Sequence, residues 1–477
     1  MMKKNIAKDG LLFLLLCCVF SRIATAIYYI EDIDSLRFAL SLSEYNLIKL
    51  QPHFPGYPVF WFFSKILFLF TNNLGLTFSL VGGLSIFVVI YFTLKLYDIK
   101  LNSLIGFFCA GTIFCNPLLW LMSNRFMPDL MGLSISISAL YFFSIVRDNN
   151  KNIILGFFLF GLLAGVRLSY IPFLIVPVSY HFIIQNNKYM LFSSFFIGCV
   201  VWFLPLIYFT GIDDLYIAAL DQTRGHFFNF GGTFITDSDW IKRIISIIKY
   251  IWADGLGGYW KGRSWQTIFL SISMVYLIIS GLLSLKKPKD KTNFLIFFGS
   301  AILYLSWILF FQNIIYKSRH ILPLLIFFII FIINGIKSIY FRKNLLDQIV
   351  IAVFFLSLIN ITLVLVQQHR TPSAISQIKD DLVNTPNKQT IISIPLINYY
   401  LNTHGIKADF ISVDEKIDIE KIYMLAQDDI LLIGNFSRIF VKDFDVVLDT
   451  NYYHNPYVNR MWPHIGTFRL FKKKNVR

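Results

Sequence analysis

Cysteine is too scarce, and too badly placed, to build a covalent or metal framework. All five residues (Cys17, Cys18, Cys109, Cys115 and Cys199) fall inside apolar runs. That excludes a disulfide scaffold and a zinc site, whose cysteines recur at set spacings in polar, turn-rich segments. Charge is scarce too. Only 15% of the 477 residues are Asp, Glu, Lys or Arg against 56% hydrophobic, and no ordinary soluble domain has that balance. No P-loop and no glycine-rich dinucleotide fingerprint occurs. An ATP-driven transporter and a nucleotide-sugar enzyme with a cytosolic Rossmann domain are therefore unsupported. Internal repeats and low-complexity linkers are also missing.

What the chain has is length without charge. Apolar runs of about 20 residues, enough to cross a bilayer, recur along most of it. Spans are expected near 10–28, 75–97, 103–121, 129–146, 153–167, 168–184, 190–209, 265–285, 293–311, 320–337 and 346–366, which makes about 11 transmembrane helices. The formal charge of +15 could point to nucleic acid, but membrane proteins with basic cytoplasmic loops give the same figure. Alternating the spans places Lys3, Lys4 and Lys8, Lys95 and Lys100, Arg147 and Lys151, Lys188, Lys286 to Lys291, and Lys337, Arg342 and Lys343 on one side. That is a positive-inside pattern with a cytoplasmic N-terminus and no role for nucleic acid. The N-terminal lysines, the apolar run from Leu11 and Ala24-Thr25-Ala26 imitate a signal peptide. The acidic residues just beyond read instead as hanging from a retained first helix.

Three polar regions then face outward. Residues 29–74 include an apolar piece, 58–70, too short to span and read as re-entrant or interfacial. Residues 210–264 include Trp240–Ile245, read as a helix lying on the surface. In the tail, 367–477, hydropathy falls and short β-rich runs alternate with helical patterns such as Ser373–Val383. The expected architecture is an all-α polytopic domain, 1–366, followed by a small extracytoplasmic α/β domain, 367–477. That domain is expected to recognise an acceptor or to pack over the outer loops.

The densest chemical signal follows the first helix. Glu31-Asp32-Ile33-Asp34-Ser35 sets three carboxylates at a membrane boundary, and Gln51-Pro52-His53-Phe54-Pro55-Gly56-Tyr57-Pro58 follows. Clustered carboxylates at partial depth repel one another and lose solvation, so a metal, an arginine or a catalytic demand should offset them. A solvated helix end is the plainer alternative. The prolines and glycine impose a rigid non-helical turn that presents His53 and Tyr57. Asn124-Arg125-Phe126-Met127-Pro128-Asp129 adds another polar turn. Arg167 lies at the end of a short span, where it needs an anion or a carboxylate, and an ion pair is as good a reading as a substrate contact. Tyr316-Lys317-Ser318-Arg319-His320 precedes Leu322-Pro323 and could anchor phosphate or simply snorkel. Gln222 to His226, with Arg224, and Gly231-Gly232-Thr233 read as a mobile loop able to close over substrate.

Asp34-Ser35, Phe38-Ala39-Leu40 and Gln51-Pro52-His53-x-Pro55-Gly56-Tyr57 resemble the first outer loop of the GT-C glycosyltransferases, which include the protein O-mannosyltransferases and the aminoarabinose transferases of lipid A. The nearest pattern is the bacterial Asp-Ser, Phe-Ala, His-Pro-Pro-Gly-Tyr loop, with Phe54 standing for its first proline. The resemblance implies a multi-pass bacterial inner-membrane enzyme of GT-C fold, working on the outer face. Its donor would be a polyprenyl-phosphate sugar, entering from the surrounding membrane lipids, and its acceptor an extracytoplasmic glycan, lipid or protein. It implies that Asp34, or in competition Asp32, is the catalytic base or a metal-associated acid. Asp129 matches the family's second acidic site, and Lys317, Arg319 and His320 match the cationic boundary at the donor phosphate, with His53, Tyr57, Arg125, Arg167 and Arg224 as further substrate contacts. A metal, if bound at Asp34 and Asp129, would be Mg²⁺ or Mn²⁺ given hard carboxylate ligands. Two rivals come from other classes. A lipid-linked glycan flippase would spread polar residues through mid-membrane segments. A glycan polymerase or ligase would carry its arginines in one long loop and lack the acidic cluster.

Overall fold

The computed structural model describes residues 2–144, 150–284, 291–314, 317–342, 344–384, 389–413, 429–434 and 444–472. Arg147, Lys286, Lys287, Lys289, Tyr316 and Lys343, expected above at cytoplasmic ends or at the cationic boundary, lie outside the described residues, as do the side chains of Lys3, Lys4, Lys8 and Lys291. By its internal contacts the chain divides into two compact units. One comprises residues 1–28 and 37–367, the other 29–36 and 368–477.

The first unit is helical. After α1 (Met2–Ala24) and α2 (Ile33–Ser41), whose first residues, 33–36, belong to the second unit, come α3 (Pro58–Thr71), α4 (Leu74–Leu96), α5 (Leu104–Phe114), α6 (Pro117–Asn124) and α7 (Asp129–Ser144). Then follow α8 (Asn150–Arg167), α9 (Ile171–Ile184), α10 (Lys188–Thr210), α11 (Ile212–Arg224), α12 (Trp240–Lys249), α13 (Thr267–Leu283), α14 (Lys291–Phe311), α15 (Leu322–Tyr340) and α16 (Leu345–His369). Among the described residues, six helical segments are long and apolar enough to cross a membrane, and α5 with α6 makes a seventh. The chain is a multi-pass membrane protein.

Local chemistry explains the breaks. The span expected at 103–121 is bent by 55° between α5 and α6. Asn116 precedes Pro117, whose ring disfavours helical backbone in the residue before it. Asn116 is accordingly extended (φ −67°, ψ 128°) and its side chain accepts the Leu119 N–H at 3.0 Å, capping α6. The other break is at Arg167, which leaves helical space (φ −153°, ψ 87°). There α8 and α9 fold back on each other along α7. Arg167 meets Asp129 at the start of α7, while Phe157 of α8 and His181 of α9 both pack on Phe143 near its end.

The loop after α11 is anchored, in contrast to the expected mobile flap. His226 Nε2 lies 2.7 Å from the Phe311 carbonyl oxygen, and Phe234 N–H donates to the Phe310 carbonyl at 3.0 Å. Helix α12 turns apolar Ile241, Ile244, Ile245 and Ile248 outward and buries Arg243 completely. The Arg243 guanidinium donates to the carbonyls of Leu309 (2.7 Å), Gln312 (3.0 Å) and Gly232 (2.5 Å). The last carbonyls of a helix have no partner within it, and a cation there also suits the helix dipole, so Arg243 ties this loop to the end of α14.

The second unit holds α17 (Ala374–Val383), α18 (Pro395–Thr403) and a five-stranded sheet: β1 (Gln389–Ser393), β2 (Ala408–Ser412), β3 (Asp429–Ile433), β4 (Phe444–Tyr453) and β5 (His464–Lys472). The order is β2-β1-β3-β5-β4, with β1 parallel to β2 and β3, and β5 antiparallel to β3 and β4. Ile392, Ile430, Leu432, Phe444 and Leu470 form its core. This is the small C-terminal α/β domain that the tail's composition indicated.

This unit also buries titratable groups. Burial, reinforced by His369 and opposed by Glu31, lowers the pKa of His454, and burial likewise lowers that of His404. A histidine whose folded pKa lies below its unfolded value stabilises the fold above the ordinary value of about 6.5 and loses that contribution as pH falls through the folded pKa. The α/β unit should therefore melt at a lower temperature at pH 5 than at pH 7.5, read from the temperature at which protease begins to cleave within residues 368–477 of the full chain. His454→Gln should shrink that difference, and an unchanged difference would count against the assignment.

Candidate active site

Each unit presents a buried group of charged side chains. In the membrane unit the cluster centres on Asp129, which opens α7 and is fully buried. The turn before it is tied down on three sides. Asn124 donates to the Thr25 hydroxyl at 2.9 Å and to the Thr25 carbonyl, Phe126 stacks on Phe78 at 4.6 Å, and Arg125 is buried with Nη1 3.9 Å from Met122 Sδ. Two guanidiniums converge on the Asp129 carboxylate. Arg167 Nη2 lies 2.9 Å from Oδ1 and Arg319 Nε 3.7 Å from the same oxygen, and both arginines are buried. Oδ2 accepts no hydrogen bond from any described residue. Gly132 allows the close approach, because a Cβ there would come within 2.7 Å of the Arg167 Cβ.

The proline-rich turn joins this cluster. Tyr57 adopts left-handed backbone (φ 49°, ψ 46°), which costs a non-glycine residue on the order of 1 kcal/mol. In that conformation its hydroxyl lies 2.9 Å from His53 Nε2 and accepts from Arg167 Nη1 at 3.4 Å. Phe38 packs edge-on against both rings. Both Gln51-Pro52 and Phe54-Pro55 are cis. Arg319 and His320 lie in a short 3₁₀ turn running into Pro323 of α15. Arg319 Nη1 is 3.0 Å from Met127 Sδ, and the Tyr304 hydroxyl donates to the His320 carbonyl at 3.0 Å. His53, Tyr57, Arg167, Asp129 and Arg319 are thus joined by a continuous chain of contacts, with His320 and the half-buried Lys317 adjoining Arg319. Arg224 is not part of it: exposed at the end of α11, it makes no hydrogen bond or ion pair with the cluster.

In the other unit, Asp32 and Asp34 are both buried at the start of α2. Asp32 Oδ1 accepts the Ser35 N–H at 2.8 Å, the geometry of an N-cap. Asp34 is the second residue of α2, within its first turn. The third acid, Glu31, has Oε2 2.7 Å from His369 Nε2, and both side chains are buried.

Some residues here escaped the sequence reading. Arg22 is fully buried near the end of α1, its guanidinium 3.8 Å from the Trp120 ring centre and donating to the Phe114 carbonyl at 2.8 Å. A lone arginine inside an apolar run was the available signal. The His369 partnership had none, since 338 positions separate it from Glu31. A large apolar cleft, lined by Phe13, Phe107, Phe108 and Phe355 among others, lies by Tyr340, at the opposite end of α15 from Arg319, and is separate from this site.

These features define a class: a polytopic membrane protein with a charged cluster among its helices and a small C-terminal α/β domain. No family model and no curated protein sequence matches the chain. Solved structures do. ArnT from Cupriavidus metallidurans in the apo state superposes with a TM-score of 0.55 at 10% identity, covering 97% of this chain and 98% of that one. The same protein bound to undecaprenyl phosphate gives 0.53 at 10% identity, covering 96% and 97%. At that identity the likeness establishes the fold along nearly the whole chain.

Proposed function

We propose that the protein transfers a sugar from a polyprenyl-phosphate donor to an extracytoplasmic glycan, lipid or protein acceptor, on the outer face of the membrane, by a displacement that inverts the anomeric centre. The observation that carries this reading is the convergence of two buried guanidiniums on the Asp129 carboxylate. Each guanidinium presents a planar fork of donors suited to a phosphate. A fold shared with a protein crystallised with undecaprenyl phosphate supports the same donor class.

In this reaction the acceptor hydroxyl or amine gives its proton to Asp34 as its oxygen or nitrogen bonds to the anomeric carbon. The bond from that carbon to the phosphate oxygen breaks, and its electron pair leaves on the lipid phosphate. Arg319 and Lys317, backed by Arg167, stabilise the growing charge, an effect often larger than that of the base. Asp32, engaged as a cap, is the weaker candidate base. His53, Tyr57, Arg125 and His320 are assigned to orienting substrate.

Mg²⁺ or Mn²⁺ does not suit Asp129. Its carboxylate already faces two cations, which would compete with a divalent ion for the same oxygens. No group of three or more His, Cys, Asp or Glu suited to a metal occurs among the described residues. Purified protein given labelled polyprenyl-phosphate sugars and membrane extract should release polyprenyl phosphate and label an acceptor, with or without EDTA. Loss with EDTA and recovery with Mg²⁺ would contradict the charge reasoning, and no release at all would overturn the donor class.

A further inference from the structure

The eight residues 29–36 carry both candidate bases, and they are built into the C-terminal unit rather than the helical one. Four polar contacts hold them there. The Tyr29 hydroxyl donates to the His369 carbonyl at 2.8 Å, and the Tyr400 hydroxyl to the Ile30 carbonyl at 2.5 Å. Asn459 Nδ2 donates to the Glu31 carbonyl at 3.3 Å. The fourth is the Glu31–His369 contact, with side chains 0% and 2% exposed. Apolar side chains of similar volume usually hold a fold as well as such a buried polar pair or better, so stability alone gives little reason for it. What a directional pair adds is register, and the residue it fixes lies one and three positions from Asp32 and Asp34.

We propose that Glu31 and His369, supported by Tyr400 and Asn459, are positioning residues: the C-terminal domain serves as a clamp that holds the Asp32–Asp34 segment in its working geometry. This rests on the glycosyl-transfer reading above. A catalytic carboxylate displaced by about 1 Å can cost on the order of 100-fold in rate, with substrate binding little affected. The clamp therefore acts on kcat rather than on donor affinity.

The test uses the full-length protein in detergent. Glu31→Ala and His369→Ala should each lower kcat about 10- to 100-fold while leaving the donor KM within about 2-fold. The double variant should be no worse than the worse single, because both remove the same contact. Glu31→Gln, which can still hydrogen-bond the imidazole, should recover most of the rate. Hydrogen exchange should quicken across residues 29–36 of the alanine variants and stay unchanged in β1 and β3. Full kcat in both alanine variants would overturn the clamp alone. Lost protection in β1 and β3 as well would make the pair a simple fold-stability element and also overturn it. A wild-type protein that releases no polyprenyl phosphate would instead remove the glycosyl-transfer reading, and the clamp with it.

Discussion

Asp34→Asn is expected to lower sugar transfer by at least about two orders of magnitude with normal insertion and folding. The substitution is nearly isosteric and removes charge from a segment that holds Glu31, Asp32 and Asp34 within four residues. An amide cannot take up the acceptor's proton near neutral pH, so the chemical step loses its base. Asp32→Asn makes the natural comparison. Asp32 accepts the Ser35 N–H as a helix cap, and asparagine caps about as well as aspartate, so α2 should persist and activity should fall far less. Rates from both purified variants decide the matter. If Asp34→Asn stays active while Asp32→Asn dies, the base lies two positions earlier. If both remain fully active, the transfer mechanism fails and a transport role moves ahead.

The arginines of the other cluster should separate by distance. Arg167 holds Asp129 at 2.9 Å, whereas Arg319 stands 3.7 Å from the same oxygen. Removing Arg319 leaves the carboxylate paired, so Arg319→Ala should fold but lose about two to three orders of magnitude in rate through the unneutralised phosphate. Arg319→Lys keeps charge without the planar fork and should fall between the two. Arg167→Ala leaves the buried carboxylate only the more distant Arg319 and should show first as lost stability. Wild-type transfer in both Arg319 variants would reduce that residue to an interface anchor.

How far these residues could be read from sequence depended on range. Each expected span falls on a helix, but among the described residues only six helical segments, or seven with α5 and α6 joined, are long and apolar enough to cross, fewer than the eleven expected. Hydropathy overlooked the bend at Asn116-Pro117, although an Asn-Pro pair inside an apolar run was a legible cap signal. Arg167 was legible as a cation in need of an anion, but its choice of Asp129 depends on how α7 and α8 pack, as does the inward turn of Arg243 from an otherwise lipid-like helix. The loop after α11 read as mobile from its glycines, yet tertiary carbonyls of α14 anchor it. Local pattern carried no trace of Glu31 meeting His369, since nothing in either segment encodes the other.

The most direct test of the central claim is the lipid content of cells that lack the protein. A polyprenyl-phosphate sugar should accumulate there, disappear on complementation with the wild-type gene, and persist with the Asp34→Asn variant. Extraction and mass spectrometry would identify that lipid and, with it, the sugar. Lipid extracts with no accumulating polyprenyl-phosphate sugar, or an Asp34→Asn strain that clears it as well as wild type, would contradict the account.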